Sequence, residues 1–110
     1  MTKEERERVA RCVSIRLWDY HRGKELAVKG DNLIKEMELN IDTPALRSVV
    51  NKARNMGYAI GSSPQDGYWY CANLLEIQDV VKSLESRAKK ILSASHKMKR
   101  GITDQIEITY

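Results

Sequence analysis

A basic helical pattern runs directly into a β-hairpin pattern in the middle of this chain, and this junction constrains the fold more than any other feature. Asp42-Thr43-Pro44 is a strong helix start, because Asp or Thr caps a first turn and proline already has the φ of the first helical position. The helix is predicted to end at Met56, before Gly57. Residues 57–70, GYAIGSSPQDGYWY, then place two short strands around a turn rich in Ser, Pro, Asp and Gly. We therefore predict a basic helix followed at once by a hairpin.

Apolar spacing predicts the remaining elements. A first helix covers residues 3–22, a bridging strand lies at 26–28, a short helix covers 31–39, and a long amphipathic helix covers 74–98. A chain of 110 residues with 42% apolar content can bury one modest core. The predicted fold class is α+β, mostly α. It comprises a domain of three helices and a hairpin in residues 1–73, a long C-terminal helix in 74–100 and a flexible tail in 101–110.

The basic residues are concentrated in two segments, although the net charge is only +4. Residues 43–56 contain Arg47, Lys52 and Arg54 and no acid, and residues 82–100 contain seven Lys and Arg residues against Glu85 alone. Acidic residues collect in 26–42 and in the last ten residues. This segregation indicates a polyanionic partner, while a solvated helix face is the plainer interpretation of 82–100.

Several other classes of protein are disfavoured. No apolar run is long enough to cross a bilayer, and residues 1–11 read as charged helix rather than as a signal peptide, so we expect a cytoplasmic protein without membrane contact. Cys12 and Cys71 lie far apart and in no CxxC pair, so neither a disulfide framework nor a metal site is expected. His21 and His96 lie in no motif with a nucleophile or paired carboxylates, and no Gly-rich phosphate loop is present. We expect neither catalysis nor a cofactor.

The order of elements carries a resemblance to a known family. The relevant segments are 23–33 (GKELAVKGDNL), 46–60 (LRSVVNKARNMGYAI) and 67–69 (GYW), which follow one another at compact spacing. In this order the chain resembles winged helix-turn-helix DNA-binding proteins, and more narrowly the small ones encoded by phages and prophages. The resemblance covers about residues 9–72. It implies a three-helix core with a hairpin wing, in which the third helix enters the major groove of DNA.

The resemblance implies that the helix 43–56 contacts duplex DNA through its polar, basic side. Arg47 and Asn51 can read guanine and adenine, whereas Lys52 and Arg54 suit phosphates. For each of them the alternative is an ordinary solvent-facing helix residue. The expected DNA-contacting residues are Thr43, Arg47, Ser48, Asn51, Lys52, Arg54 and Asn55 on the helix and Ser62 and Ser63 on the hairpin.

The implied function is non-enzymatic DNA binding in transcription regulation or DNA replication. Pro44 and Ala45 stand at the start of the helix, where base-reading members of the family present longer polar side chains, and neither can make a bidentate base contact. A second interpretation therefore stays open: a protein-interaction module that grips a host or replication protein without useful DNA affinity. The hairpin tip, residues 62–66, contains no Lys or Arg, and Asp66 repels phosphate, so the hairpin is mainly a signature of the fold.

The C-terminal helix has an apolar seam that is longer than a small domain needs. From Leu74 to Met98 its apolar residues recur in a 3-4 spacing, which is typical of a coiled coil. We expect the first half to pack on the first helix, over Ile15 or Trp18, and the second half to pair with another chain as a homodimer through residues 74–98. The alternative is an amphipathic helix folded entirely on its own domain.

The last six residues, QIEITY, resemble the short peptides through which bacterial replication and repair proteins dock on the polymerase sliding clamp. The resemblance implies partner contacts by Gln105, Ile106, Ile108 and Tyr110, because a terminal segment can insert a few apolar anchors into a preformed groove. The alternative is an alternating strand that pairs within the chain through Ile106 and Ile108.

Overall fold

The fold is α+β and mostly helical, as predicted. A computed structural model describes residues 1–109, with side chains described through Gly101. The chain divides into two compact units, Met1–Gln78 and Asp79–Tyr110. Its elements are α1 (Lys3–Tyr20), a 3₁₀ helix (Lys24–Leu26), α2 (Gly30–Glu36), α3 (Thr43–Asn55), β1 (Ile60–Ser63), β2 (Gly67–Tyr70) and α4 (Leu74–Thr109).

Local hydrogen bonds fix both ends of α1. At its start, the Thr2 hydroxyl accepts the Glu5 N–H at 3.1 Å and the Glu5 carboxylate accepts the Thr2 N–H, which forms a capping box. At its end, the His21 ring lies 2.8 Å (Nδ1) from the Leu26 carbonyl oxygen and 2.6 Å (Nε2) from Glu36 Oε1. His21 thus joins the end of α1 to the 3₁₀ helix and to α2.

A six-residue connection, residues 37–42, joins α2 to α3 and begins with a turn. It passes through Glu38, which has a left-handed φ of 53°. The carboxylate of Asp42 then caps α3 by accepting the Ala45 N–H at 2.9 Å, and Pro44 occupies the first turn, as the sequence predicts. The helix ends before Gly57, whose φ of 97° suits a residue without a Cβ.

The predicted hairpin is present, with β1 and β2 antiparallel. Its register pairs Ile60 with Tyr70 and Ser63 with Gly67. Residue Val28 adds a single bridge on the other side of β2, because Val28 and Tyr68 exchange two backbone hydrogen bonds of 2.8 Å. The sequence predicts a bridging strand at 26–28, and only its last residue takes that role.

The close approach of Val28 to β2 depends on a glycine. Gly67 has a φ of 93°, and a Cβ at this position would collide with the Val28 carbonyl. The same glycine closes the hairpin turn opposite Ser63. One residue without a side chain therefore lets the hairpin turn and the segment before α2 meet.

The core of the Met1–Gln78 unit lies between the three helices and β1. Apolar side chains spaced three and four residues apart on α1 and α3 face each other across it. Burial of each large aliphatic side chain contributes about 1.5–3 kcal/mol. The buried cluster is Ala10, Val13, Leu17, Val28, Leu33, Leu46, Val49, Val50, Ala53 and Ile60.

Two helix ends differ from the prediction, for different reasons. The short helix α2 ends at Glu36 rather than near residue 39, because Glu38 takes a left-handed conformation that a non-glycine residue does not signal. The long helix α4 continues through Gly101 to Thr109, so the predicted helix end at this glycine is wrong, and the flexible tail predicted for 101–110 stays a prediction. Gly101 does not have a positive φ, and a single glycine within a helix costs only about 1 kcal/mol.

The predicted burial of Ile15 or Trp18 is also wrong. Ile15 is 57% exposed and Trp18 is 45% exposed. The ring of Trp18 meets Tyr70 edge-on, with centroids 5.1 Å apart, and the guanidinium of Arg22 lies 4.0 Å from the Trp18 ring. These neighbours cover only part of the indole, so both residues remain on the surface of α1.

Among the helices of the described residues, none combines the length and apolar character that a bilayer crossing demands.

Candidate nucleic-acid interface

The side of α3 that faces away from the core is polar and open to solvent. Five of the seven helix residues expected to contact DNA are exposed there, and no acid occurs anywhere in α3. The buried stripe on the opposite side fixes the rotation of the helix, so these side chains share one face. We call this the α3 face; its residues are Thr43, Arg47, Ser48, Asn51 and Asn55.

Lys52 lies at the margin of the α3 face and has an acidic neighbour. Its ammonium is 3.4 Å from the carboxylate of Glu7 on α1, and both side chains are about three-quarters buried. The pair ties α1 to α3. A phosphate contact by Lys52 competes with this carboxylate.

Arg54 links α3 to the hairpin. Its Nε donates to the Ile60 carbonyl oxygen at 2.8 Å, and its Nη2 donates to the Ser62 hydroxyl at 3.0 Å. Both bonds are partly buried. The guanidinium therefore holds β1 against the end of α3, a positioning role that the sequence analysis, which expected a phosphate contact, did not foresee.

The hairpin tip is held by its own hydrogen bonds. The Ser63 hydroxyl donates to Asp66 Oδ2 at 2.8 Å and accepts the Asp66 N–H at 2.9 Å. From the segment before α2, Lys29 donates its ammonium to the Pro64 carbonyl at 3.0 Å and to the Gln65 carbonyl. The two hairpin serines expected to contact DNA are thus engaged within the protein, Ser62 with Arg54 and Ser63 with Asp66.

Lys29 and Lys24 bring to the hairpin tip the positive charge that it lacks in sequence, Lys24 through an ion pair of 3.9 Å with Asp66. The contact of Lys29 is the more direct. Its side chain reaches the tip from 35 residues earlier in the chain, because the bridge at Val28 brings that segment alongside β2. No local sequence signal marks a lysine before a short helix for this role.

Tyr68 is a further residue beside the α3 face that no local sequence pattern marks. A Cβ on Gly30 would lie 3.3 Å from the Tyr68 ring, so the ring packs closely over the start of α2. Burial raises the pKa of Tyr68 above its ordinary value, and the positive charges of Arg47 and Arg54 act in the opposite direction. The phenol is therefore neutral at physiological pH and can donate a hydrogen bond close to two arginines.

The second basic segment lies on α4 in the Asp79–Tyr110 unit. All seven of its Lys and Arg residues are exposed. They are Lys82, Arg87, Lys89, Lys90, Lys97, Lys99 and Arg100.

Within the residues described, no three His, Cys, Asp or Glu side chains come together as metal ligands would. Cys12 is exposed and Cys71 is buried, and both are free thiols. The side chains of Gln105, Ile106 and Ile108, and the whole of Tyr110, lie outside the described part of the structure, so the clamp-docking prediction stays a prediction.

No family model, curated protein or solved structure matches the chain.

Proposed function

We propose that the Met1–Gln78 unit is a winged helix-turn-helix that binds duplex DNA, with α3 in the major groove and the β1–β2 hairpin as the wing. One observation carries the proposal: the α3 face presents an arginine and four short polar side chains, without an acid, opposite a fully buried stripe. The order of α2, a short connection, α3 and a hairpin supports it, because this is the order in which such proteins present a recognition helix.

The proposal divides the α3 face into two roles. Arg47, Ser48 and Asn51 read base edges, since arginine and asparagine are the side chains that pair bidentately with guanine and adenine. Thr43 and Asn55 contact phosphates from the two ends of the helix, together with the neutral hydroxyl of Tyr68. Arg54 acts through the protein by fixing the wing to α3.

The wing tip offers few free groups for a DNA contact, in agreement with a main contact by α3. Ser62 and Ser63 are engaged internally, and Asp66 repels phosphate. The wing then orients the fold, and Lys29 and Lys24 place positive charge beside the tip, Lys29 on the Pro64 carbonyl and Lys24 with its ammonium 3.9 Å from Asp66. The biological role we propose is transcription regulation or DNA replication, of the phage or prophage type.

The test is equilibrium binding to a fluorescent duplex of random sequence. We expect non-specific affinity of about 10⁻⁴–10⁻⁶ M at physiological salt. Arg47→Ala weakens it, whereas Arg11→Ala, which removes the same charge from an exposed site on α1, leaves it nearly unchanged. Absence of binding by the wild type, or equal loss in both variants, contradicts the proposal.

A second candidate is the protein-interaction module, and the exposed apolar side chains of α1 favour it. Ile15, Trp18 and Tyr20 are all at least 45% exposed within 6 residues of helix. Large exposed aromatic and aliphatic groups are typical of protein contacts. This candidate is favoured over DNA binding if the wild type does not bind random duplex DNA but does bind a protein partner. Trp18→Ala should then abolish binding of that partner.

A further inference from the structure

The α4 helix carries an apolar seam that is largely open to solvent, with Ile77 and Leu84 half-buried. Leu74, Val81, Ile91 and Met98 are 67%, 44%, 69% and 69% exposed. These four residues and four others between them recur in steps of three and four residues. This spacing places all eight in one row along the helix. We call this row the seam; its residues are Leu74, Ile77, Val81, Leu84, Ala88, Ile91, Ser95 and Met98.

We propose that the seam pairs with the seam of a second copy of this chain, and that the two α4 helices run antiparallel with the two-fold axis level with Ser86. The steps of three and four specify a helix as the occupant, because two helices meet along such a row with knobs entering holes. The sizes of the seam residues indicate that this helix is α4 of a second copy and that the two helices run antiparallel.

The seam is complementary to itself when reversed. In the antiparallel arrangement Leu84 faces Ala88 of the second copy and Ile77 faces Ser95 of the second copy, so each small residue meets a large one. Val81 then faces Ile91, and Leu74 faces Met98. Alternation of large and small side chains across an interface fills it without voids.

A parallel arrangement loses this fit. Ala88 would face Ala88 of the second copy and Ser95 would face Ser95, which leaves small residues paired with small residues on both sides of the Ile91 layer and places a hydroxyl against a hydroxyl. Unfilled space in a core is destabilising, since the atoms around it lose their contacts.

Charge also favours the reversed arrangement. Lys97, the first residue of the positive cluster at the end of the segment, lies level with Leu75 of the second copy and so one residue from the acid Glu76, whereas Lys99 and Arg100 lie level with the uncharged Asn73 and Ala72. In a parallel pair this positive cluster would lie beside the same positive cluster of the second copy, and the two would repel each other. Arg87 and Glu85 do each approach their counterpart near the two-fold axis, but like charges at solvent-exposed margins weaken an interface only slightly.

The first experiment measures mass in solution without DNA, so its failure leaves the DNA proposal standing. Light scattering of the full chain is expected to give twice the 12.6 kDa of one chain at concentrations on the order of 100 µM. The seam variant Leu84→Glu/Ile91→Glu is expected to be a monomer. The control Ser86→Glu/Ser93→Glu adds the same charges on the opposite side of α4 and is expected to remain a dimer. A monomeric wild type, or a seam variant that still dimerises, overturns the proposal.

The second experiment reads direction. In a Cys12→Ser background, which leaves only the buried thiol of Cys71, Leu84→Cys is mixed with Ala88→Cys and oxidised. The antiparallel pair predicts a disulfide between the two variants and little from Ala88→Cys alone. Efficient cross-linking of Ala88→Cys with itself, and none in the mixture, overturns the antiparallel arrangement.

Discussion

The Nε of Arg54 donates a 2.8 Å hydrogen bond to the carbonyl oxygen of Ile60, so the last turn of α3 and the first residue of the hairpin are joined by a side chain. A second bond from the same guanidinium reaches the Ser62 hydroxyl. The orientation of the hairpin relative to α3 thus depends on an arginine that, by sequence alone, is one of several basic residues on a helix.

Arg54→Lys is expected to lower the free energy of unfolding by about 1–3 kcal/mol, because lysine keeps the charge but cannot supply both bonds in the same geometry. Urea denaturation measures this. Arg47→Lys, at an exposed position of the same helix, is the matched control and should change stability by less than about 0.5 kcal/mol. Equal stability of the two variants would show that Arg54 does not position the hairpin.

The two glycines with positive φ on either side of β1 are expected to respond differently to alanine. Gly67→Ala combines a strained φ with a collision against the Val28 carbonyl and should cost about 3 kcal/mol or more. Gly57→Ala has a similar φ but no atom within 4 Å of the new Cβ, so it should cost only about 1–2 kcal/mol. Thermal or urea unfolding distinguishes them, and a Gly67→Ala variant no less stable than Gly57→Ala would contradict the close approach of Val28.

Breaking the ion pair between Lys52 and Glu7 is expected to strengthen DNA binding. Glu7→Gln frees Lys52 for phosphate, so DNA affinity should rise, by up to roughly tenfold at low salt. Stability should fall by about 1 kcal/mol, since both side chains keep about a quarter of their surface in water, which screens the pair. Glu4→Gln makes the same change of charge in the first turn of α1 and controls for net charge. An equal gain in both variants would mean that Lys52 does not contact DNA.

Tyr68 predicts a pH dependence of stability in the alkaline range. Its folded-state pKa is raised above the ordinary 10.0, so the unfolded chain loses the phenolic proton first. The stability linked to this proton is complete below pH 10 and is lost as pH rises from there through the raised pKa. Tyr68→Phe should remove that part of the decline. Tyr20→Phe, at an exposed phenol, should not, and identical alkaline profiles for wild type and Tyr68→Phe would contradict the prediction.

How much of this structure can be predicted depends on whether the determining signal is local. The start of α3 and the turn of the hairpin were predicted correctly, because Asp42, Pro44 and Gly67 act within a few residues of themselves. The end of α2 was not predicted correctly, because Glu38 adopts a left-handed conformation that is uncommon for glutamate. Because glycine commonly follows the last residue of a helix, the end of α4 was predicted at Gly101, but the helix continues through this residue.

The candidate site shows the same division between local and distant signals. The exposed side of α3 follows from helical periodicity, and five expected contact residues lie on it. The partners of Arg54, Lys52 and Lys29 come from β1, α1 and the hairpin turn, at separations that no local pattern encodes. Tertiary packing decides which basic side chains remain open to a ligand and which stabilise the fold.

The salt dependence of binding to random duplex DNA, compared among the wild type, Arg47→Ala and Arg11→Ala, tests directly whether the α3 face binds DNA. We expect log affinity to fall linearly with log salt in the wild type, and the slope to become shallower by about 0.9 in Arg47→Ala, because on random sequence the guanidinium pairs with a phosphate instead of its specific base. Arg11→Ala should keep the wild-type slope. Three equal slopes, or no measurable binding at low salt, would contradict an α3 face that binds DNA.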